Sequence, residues 1–381
     1  MPRDAISEPR ASQIAETGVG SNRSAGSPPG GDDPERRNWF AYLGVRRLSA
    51  VYLWAFFMVL FGIISGSTFL TSTTYNLVFS GGVVTCVLAL AFLVPLACAQ
   101  YDLSIGALMS LSLSLMVYLS LHTSLSPVLM AVIAVLACMG VGAVSGFIIV
   151  RLHVNSFIAT LGVSQVLLAA VLLVSDNKQL VGEFPESWSN AGVNNFLGIP
   201  QVMYYLIAVA LVLWYILEFT RVGRYLFATG GNVEAARLSG VKTDRMIWGS
   251  LIASGGIAGL AGVIYSMRSG VFSSTVGPGY LFPAVAAVFL GASQLSQRPN
   301  VWGTLIAYFA LAFGIQGLLL SASSAAVWSQ PLFQGVSLII AVALAARPTI
   351  QKLKQAKAVA TEEAADQAPP PTAPAPTTGA G

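Results

Sequence analysis

Long apolar segments recur along most of this sequence and constrain its fold more than any other feature. A helix that crosses a hydrocarbon core of about 30 Å needs about 20 apolar residues, and each segment is near that length. Only 9% of the 381 residues are charged, whereas soluble domains carry about 25%. The sequence therefore predicts an all-α polytopic membrane protein with about ten transmembrane helices. The segments lie at about 50–70, 78–98, 104–120, 127–150, 156–175, 200–219, 247–267, 281–295, 301–321 and 331–346.

Two of these segments are less regular than the others. The third follows the polar run Gln100-Tyr101-Asp102, and the eighth is short and contains Pro283. Interrupted helices are tolerated in membranes only where the freed backbone groups are buried in protein or line a cavity. We therefore expect some helices to be broken or re-entrant.

The distribution of basic residues predicts the orientation. Lys and Arg collect in short cytoplasmic loops, and a cytoplasmic N-terminus places nearly all of them inside. Only Lys178 and Arg268 then remain outside. Both termini are expected in the cytoplasm, and the basic loops explain the net charge of +4 without a nucleic-acid partner. The inside residues are Arg36, Arg37, Arg46, Arg47, Arg151, Arg221, Arg224, Arg237, Lys242, Arg245, Arg298, Arg347, Lys352, Lys354 and Lys357.

Two polar tails frame a transmembrane domain predicted at 39–350. Residues 1–38 and 351–381 are poor in large apolar side chains, so we expect disordered cytoplasmic tails. The first tail has no apolar core of the kind found in a cleaved signal peptide. The three cysteines lie in apolar runs without metal-ligand spacing, so neither a disulfide nor a metal site is expected.

Several classes of chemistry are not indicated. The sequence contains no phosphate-binding loop of the G-x-x-x-x-G-K-[ST] type, no H-E-x-x-H and no G-x-S-x-G, so we expect no catalytic residue and no ATP hydrolysis by this chain. Acidic residues near the spans are restricted to Asp102 and, at a span end, Glu218. Asp102 either caps the following helix or binds cargo. With so few candidates to bind a coupling ion, the energy source is expected on another polypeptide.

Two further features bear on packing and on outside partners. Residues 175–200 form the longest outside loop, interpreted as either a solvated connector or a docking surface for an external partner. Glycines in the fourth and seventh segments are spaced for close helix contact. These glycines are Gly142, Gly146, Gly255, Gly259 and Gly262.

The stretch GRYLFATGGNVEAARLSGV at 223–241 is polar and lies in the longest basic inside loop. Asn232 is a good N-cap, and Glu234 lies in the first turn, where a negative charge meets the positive end of the helix dipole. Gly240 suits a left-handed position after the helix. The spacing predicts a helix of about two turns outside the bilayer, with a small apolar face of Val233, Ala236 and Leu238. Such a helix either rests on the bilayer surface or docks on a partner.

This stretch resembles the coupling loop of permease subunits of ATP-binding-cassette (ABC) importers, specifically of the ribose/xylose-type monosaccharide branch. The resemblance continues, in order and at similar spacing, over about residues 50–346. The departures lie at Leu281-Phe282-Pro283, where the family usually has an acidic residue, at Gly291-Ala292, and at 296–299. The other similar segments are YDLSIGALMSLS (101–112), NSFIATLGVSQVLLA (155–169), SGGIAGLAGVIYSMRSG (254–270), GPGYLFPAVAAVFLGAS (277–293) and the residues from Gly303 onward.

The resemblance implies an inner-membrane permease subunit for ATP-driven import of a monosaccharide. Its implied partners are a second permease chain, identical or different, a cytoplasmic ABC ATPase that binds ATP and magnesium, and a periplasmic or extracellular sugar-binding protein. No cofactor is expected on this chain. Permeases for branched-chain amino acids or nucleosides, an ion-coupled secondary transporter and a non-transport scaffold or receptor remain alternatives. The residues implied to couple to the ATPase are Asn232, Val233, Glu234, Ala235, Ala236, Arg237, Leu238, Ser239 and Gly240.

Polar residues at two irregular positions are candidates for the cargo path. Their hydroxyl and amide groups suit a sugar, although hydrogen bonds between helices explain them almost as well. The candidates are Tyr101, Asp102, Ser104, Asn155, Ser156, Thr160 and Gln165.

Overall fold

The computed structural model describes residues 49–294, 298–321, 328, 331–340 and 342–343. The tails expected to be disordered, 1–38 and 351–381, lie outside the described residues. So do the departures from the family pattern at Ser296 and Gln297.

The described chain is almost entirely helical. Its helices are α1 Ser49–Ile64, α2 Gly66–Phe69, α3 Ser72–Ala97, α4 Ile105–His122, α5 Pro127–Arg151, α6 Ser156–Ser175, α7 Glu186–Val193, α8 Gln201–Phe219, α9 Arg221–Gly231, α10 Val233–Leu238, α11 Thr243–Arg268, α12 Val276–Gln294, α13 Val301–Ser321 and α14 Pro331–Ile340. Seven of these are long and apolar enough to cross a membrane, namely α3, α4, α5, α6, α8, α11 and α13, and α1, α12 and α14 are shorter apolar helices. Each of the ten predicted segments coincides with one of these ten helices, which confirms a polytopic helical membrane protein. Two antiparallel pairs of short strands join β1 Leu180–Val181 to β4 Val271–Phe272, and β2 Asn195–Phe196 to β3 Ile199–Pro200.

Helix α3 lies at the centre of the bundle. Every residue from Gly82 to Pro95 is buried, and most of these side chains are fully buried. A helix that is apolar on all sides must be covered on all sides, which α11, α12, α13 and α8 do here. The capping residues define where the helices begin, with Thr71 before α3 and Ser126 before α5.

Glycines allow α5 and α11 to pack backbone against backbone. A Cβ atom added to Gly142 would lie 2.4 Å from the carbonyl oxygen of Leu251, and one added to Gly255 would lie 2.4 Å from that of Cys138. On the other side of α11, a Cβ on Gly262 would lie 2.6 Å from the Cβ of Ser112. The predicted role of these glycines in close helix contact is confirmed.

Contacts between loops define two ends of the bundle. At one end, which we call the basic end (98–104, 152–155, 220–242 and 298–300), Tyr101 N donates to Ser156 Oγ at 3.1 Å, and the Arg298 guanidinium binds the Glu218 carboxylate at 2.7 Å. At the opposite end (120–126, 176–200 and 269–275), Glu183 N donates to Ser120 Oγ at 3.2 Å. The connections therefore alternate between the two ends in the order that the sequence predicts.

The expectation of broken or re-entrant helices is wrong for the two segments that prompted it. Helix α4 is continuous over 18 residues, and α12 is continuous over 19 residues, including Pro283. Both run from one end of the bundle to the other. The polar interruption lies before α4, where the backbone leaves helical geometry at Ala99 with φ 56°.

The long loop at the opposite end is folded and does not remain a solvated connector. Its helix α7 packs on α11, with Trp188 buried and its Nε1 donating to Ser266 Oγ at 3.2 Å. Strand β1 pairs with β4 next to it. The loop therefore closes over this end of α11.

Candidate functional site

The predicted short helix is present at the basic end as α10, Val233–Leu238. The Asn232 side chain accepts from Ala235 N at 3.0 Å, which satisfies a free amide of the first turn. Gly240 follows the helix with φ +84°, and Val241 N donates back to Ala236 O at 3.0 Å. These contacts match the left-handed closure predicted for Gly240 and end the helix sharply.

One face of α10 is held against the bundle and the other is exposed. Ala236 is buried, and Arg237 Nη2 lies 3.1 Å from Asp244 Oδ1 at the start of α11. Leu238 does not join the apolar face predicted for it, since its side chain is 88% exposed. The helix turns about 100° per residue, so position 238 lies well away from the direction of position 236. The exposed face is formed by Glu234, Ala235, Leu238 and Ser239.

A second helix, α9, precedes α10 and was not predicted from the sequence. Its buried residues Gly223, Leu226 and Thr229 recur every three positions, a signal that could have indicated a helical face. A Cβ on Gly230 would lie 2.3 Å from the carbonyl oxygen of Ala97, so α9 rests directly on the end of α3. The short helix α10 is therefore attached to the central helix of the bundle.

Arg298 links this region to the connection between α12 and α13. Its guanidinium binds Glu218 at 2.7 and 2.9 Å and lies 4.7 Å from the centre of the Phe227 ring on α9. A single nitrogen, Nη2, donates to both carboxylate oxygens. Arg298 thus ties α8 and α9 to the segment that leads into α13.

Asp102 is fully buried and joins two parts of the bundle. Its Oδ1 accepts from the backbone N of Ser104 at 3.0 Å and from the Ser104 hydroxyl, and its Oδ2 accepts from Ser254 Oγ on α11 at 2.7 Å. Ser104, rather than Asp102, is the residue directly before α4. Ser104 itself has helical backbone angles and makes no side-chain cap, so Asp102 accepts a free N–H at the start of the helix, as the capping alternative predicts, and it also binds α11.

The remaining predicted path residues separate into bonded and exposed groups. Thr160 Oγ1 accepts from Leu103 N and donates to Ser156 O, so Ser156 and Thr160 fix the start of α6 to the turn before α4. Asn155 caps α6 by accepting from Phe157 N at 2.9 Å. Gln165 is exposed and does not join this cluster. The Tyr101 ring lies 6.4 Å from the rings of Phe92 and Phe289.

A cavity of about 430 Å³ lies in the half of the bundle near the opposite end. None of the predicted path residues lines it. We call it the polar cavity, because five polar side chains from four helices converge on it, an arrangement typical of sites for small polar ligands. Pro283 contributes to the wall, so one departure from the family pattern lies at this cavity. The polar side chains are Thr85, Tyr280, Tyr308, Gln316 and Gln334.

An apolar helical bundle with a polar cavity near one end and a capped external helix at the other defines a polytopic membrane protein of the permease class. The model of the family described as the branched-chain amino acid transport system / permease component matches residues 72–344. The chain belongs to this family, as a permease component that is not itself catalytic.

The chain is similar to import permeases that are named for three different sugars. The ribose import permease protein of Escherichia coli (strain K12) is 35% identical over 266 residues, which covers 68% of this chain and 81% of that protein. The fructose import permease protein of Rhizobium meliloti is 31% identical over 301 residues, or 75% and 81%. The D-allose transport system permease protein of Escherichia coli (strain K12) is 31% identical over 244 residues, or 64% and 74%. The chain has no significant match among solved structures.

Proposed function

We propose that this chain is the membrane-spanning permease subunit of an ABC importer for a monosaccharide of the ribose or xylose kind. Similarity to ribose, fructose and allose permeases over about two thirds of the chain or more carries this proposal. A sugar-binding protein delivers the cargo from outside, and a separate cytoplasmic subunit hydrolyses ATP with its magnesium. The permease works as a pair of chains in the inner membrane, with ten spans and both termini in the cytoplasm.

Helix α10 serves as the contact with the ATPase in this proposal. Its exposed face presents Glu234 and Leu238, while the buried Ala236 packs its inner face against the bundle. A coupling element must make different contacts in two states and transmit the difference, which requires a rigid attachment. The close contact of α9 with the end of α3 and the ion pair between Arg298 and Glu218 supply such an attachment.

The polar cavity forms part of the cargo path. It lies near the end that we assign to the outside, where a binding protein would release its sugar. Hydroxyl and amide groups from Tyr280, Tyr308 and Gln316 can exchange hydrogen bonds with the hydroxyl groups of a sugar. The cluster around Asp102 lies toward the basic end and is occupied by bonds between segments, so we assign it a structural role.

The test is uptake by proteoliposomes that contain this chain together with its ATPase and binding protein. We expect ATP-dependent uptake of a labelled monosaccharide, with ribose, xylose, fructose and allose compared directly. Leucine and adenosine are the matched controls for the other cargo classes. Gln316→Ala should reduce sugar uptake without changing the amount of assembled complex.

Two outcomes would contradict the proposal. Uptake of leucine or adenosine in place of sugars would indicate a different cargo. Uptake by this chain alone, driven by an ion gradient and abolished by Asp102→Asn, would indicate a secondary transporter.

A further inference from the structure

A groove of about 820 Å³ lies between α8 and α11. Its floor includes Val94 of α3, and Val135 and Met139 of α5 contribute to one wall. Nearly all of its lining is apolar. It is distinct from the polar cavity, since the two have no lining residue in common.

The groove has the length of one leaflet of a bilayer. Along α11 its lining runs from Arg245 to Leu260, which at 1.5 Å per residue is about 22 Å. Half of a hydrocarbon core is about 15 Å, to which the headgroup region adds several ångströms. The groove begins at the basic end and stops near the middle of the bundle. Helix α8 starts at the opposite end, and its residues before Ala208 do not line the groove.

Arg245 is the charged residue at the mouth of the groove. Within the described part of the chain its guanidinium has no ion pair, since the neighbouring Asp244 is bound to Arg237. The hydroxyl groups of the lining residues Thr220 and Ser250 donate to carbonyl oxygens of their own helices, at 2.6 and 2.7 Å. The groove therefore offers an apolar body with one unneutralised positive charge at its end.

Further basic groups stand next to the mouth. Thr220 and Val222 line the groove, and Arg221 lies between them at the start of α9 with an exposed side chain. An arginine at such a position can bind a phosphate oxygen pair and is favourable beside an anionic lipid surface.

We propose that this groove binds an anionic phospholipid from the leaflet that borders the basic end. The acyl chains lie in the groove between α8 and α11, and the phosphate binds Arg245. Three features of the groove match this ligand. Its apolar lining is long enough for the acyl chains, it lies within one leaflet, and Arg245 at its mouth has no ion pair among the described residues. A zwitterionic lipid such as phosphatidylcholine has the same phosphate but neutralises it with its own ammonium group, so it gains less from Arg245 than an anionic lipid does.

Lipid retention by the purified full-length chain tests the site. The chain in detergent receives equal amounts of phosphatidylglycerol and phosphatidylcholine, and bound lipids are counted by native mass spectrometry. We expect one tightly retained phosphatidylglycerol, preferred several-fold over phosphatidylcholine. Arg245→Ala should lower the ratio of bound phosphatidylglycerol to bound phosphatidylcholine about fivefold, because that is roughly the effect of one basic side chain near an anionic surface. Arg151→Ala, which removes a charge from the same end outside the groove, should not.

A second pair of variants tests the apolar part. Gly249 lines the groove, and a Cβ added there meets no atom within 4 Å, so Gly249→Leu fills the space without a backbone clash. It should abolish retention of both lipids. Gly162→Leu on α6 is the matched control, because a Cβ there is equally free and the residue is not part of the groove.

Three results would overturn the proposal. The first is equal retention of the two lipids by the unmodified chain, and the second is unchanged retention in Gly249→Leu. The third is efficient disulfide cross-linking of two Val212→Cys chains in native membranes. Val212 lines the groove and is 61% exposed, so such a cross-link would show that a second copy of the chain occupies it.

Discussion

Asp102 connects the turn before α4 to α11 through the side chain of Ser254. The carboxylate is fully buried, so each of its oxygens depends on a donor within the protein. Removing a donor from a buried acceptor leaves the cost of dehydrating that acceptor uncompensated. The pair therefore stabilises the packing of segments that are far apart in the sequence.

Ser254→Ala should lower the free energy of unfolding by about 1–3 kcal/mol, because Asp102 Oδ2 loses the hydrogen bond at 2.7 Å. The measurement is the thermal unfolding midpoint of the purified chain in detergent. Ser164→Ala is the control, since the Ser164 hydroxyl donates only to Leu161 O in its own helix. Equal midpoints for the two variants would show that the buried bond contributes little.

The sequence could identify Asp102 but not its partner. A carboxylate beside a membrane span is rare enough to be singled out by composition alone. Ser254 is 152 positions away, and nothing in its local sequence distinguishes it from other serines in the spans. The exposure of Gln165 could not be predicted either, because it depends on which helices lie next to α6, and the sequence does not specify them.

Leu238→Asp should weaken binding of the ATPase while the chain still folds. The side chain is 88% exposed and makes no contribution to the core, and Asp would place an unpaired charge in the interface, where the loss of a central residue costs about 2 kcal/mol when that residue is a hot spot. A loss of that size is about 30-fold in affinity. Co-purification of the ATPase and sugar uptake measure the effect. Leu197→Asp is matched in exposure, at 83%, but lies at the opposite end and should leave co-purification of the ATPase unchanged.

Helices α9 and α10 show which elements local sequence can predict. The ends of α10 are set by its own residues, Asn232 and Gly240, so its existence and bounds followed from capping rules. Helix α9 contains three glycines, which are poor helix formers, and is stabilised by its contact with α3. Its prediction would have required knowledge of that distant surface.

Gly230→Ala should destabilise the attachment of α9 to α3. The added Cβ would lie 2.3 Å from Ala97 O, so the helix must shift, and overpacking of this kind costs about 1–3 kcal/mol. Gly231→Ala is the neighbouring control, because a Cβ there meets no atom within 4 Å. The thermal midpoint should fall for Gly230→Ala alone. A similar fall for both variants would indicate a general effect of losing glycine in this helix.

At the scale of the whole molecule, contacts between loops and the distribution of charge point to the same alternation of helices. Among the described residues, the basic end holds Arg221, Arg224, Arg237, Lys242 and Arg298, and Arg151 and Arg245 lie within three residues of it, whereas the opposite end holds Lys178, with Arg268 next to it. The segment lengths predicted the number of apolar helices well, since length and hydropathy are properties of the sequence itself. The polar cavity was not predicted, because it arises only where four helices meet.

From this asymmetry we propose that the basic end faces the cytoplasm, because loops rich in Lys and Arg tend to remain there. We expect a cysteine in place of exposed Ser187, at the opposite end, to react with a membrane-impermeant maleimide in intact spheroplasts. Ser239→Cys at the basic end, also exposed, should react only after the membrane is permeabilised. The native cysteines Cys86, Cys98 and Cys138 are buried, so background labelling should be low. The reverse labelling pattern would place α10 outside the cell and exclude contact with a cytoplasmic ATPase.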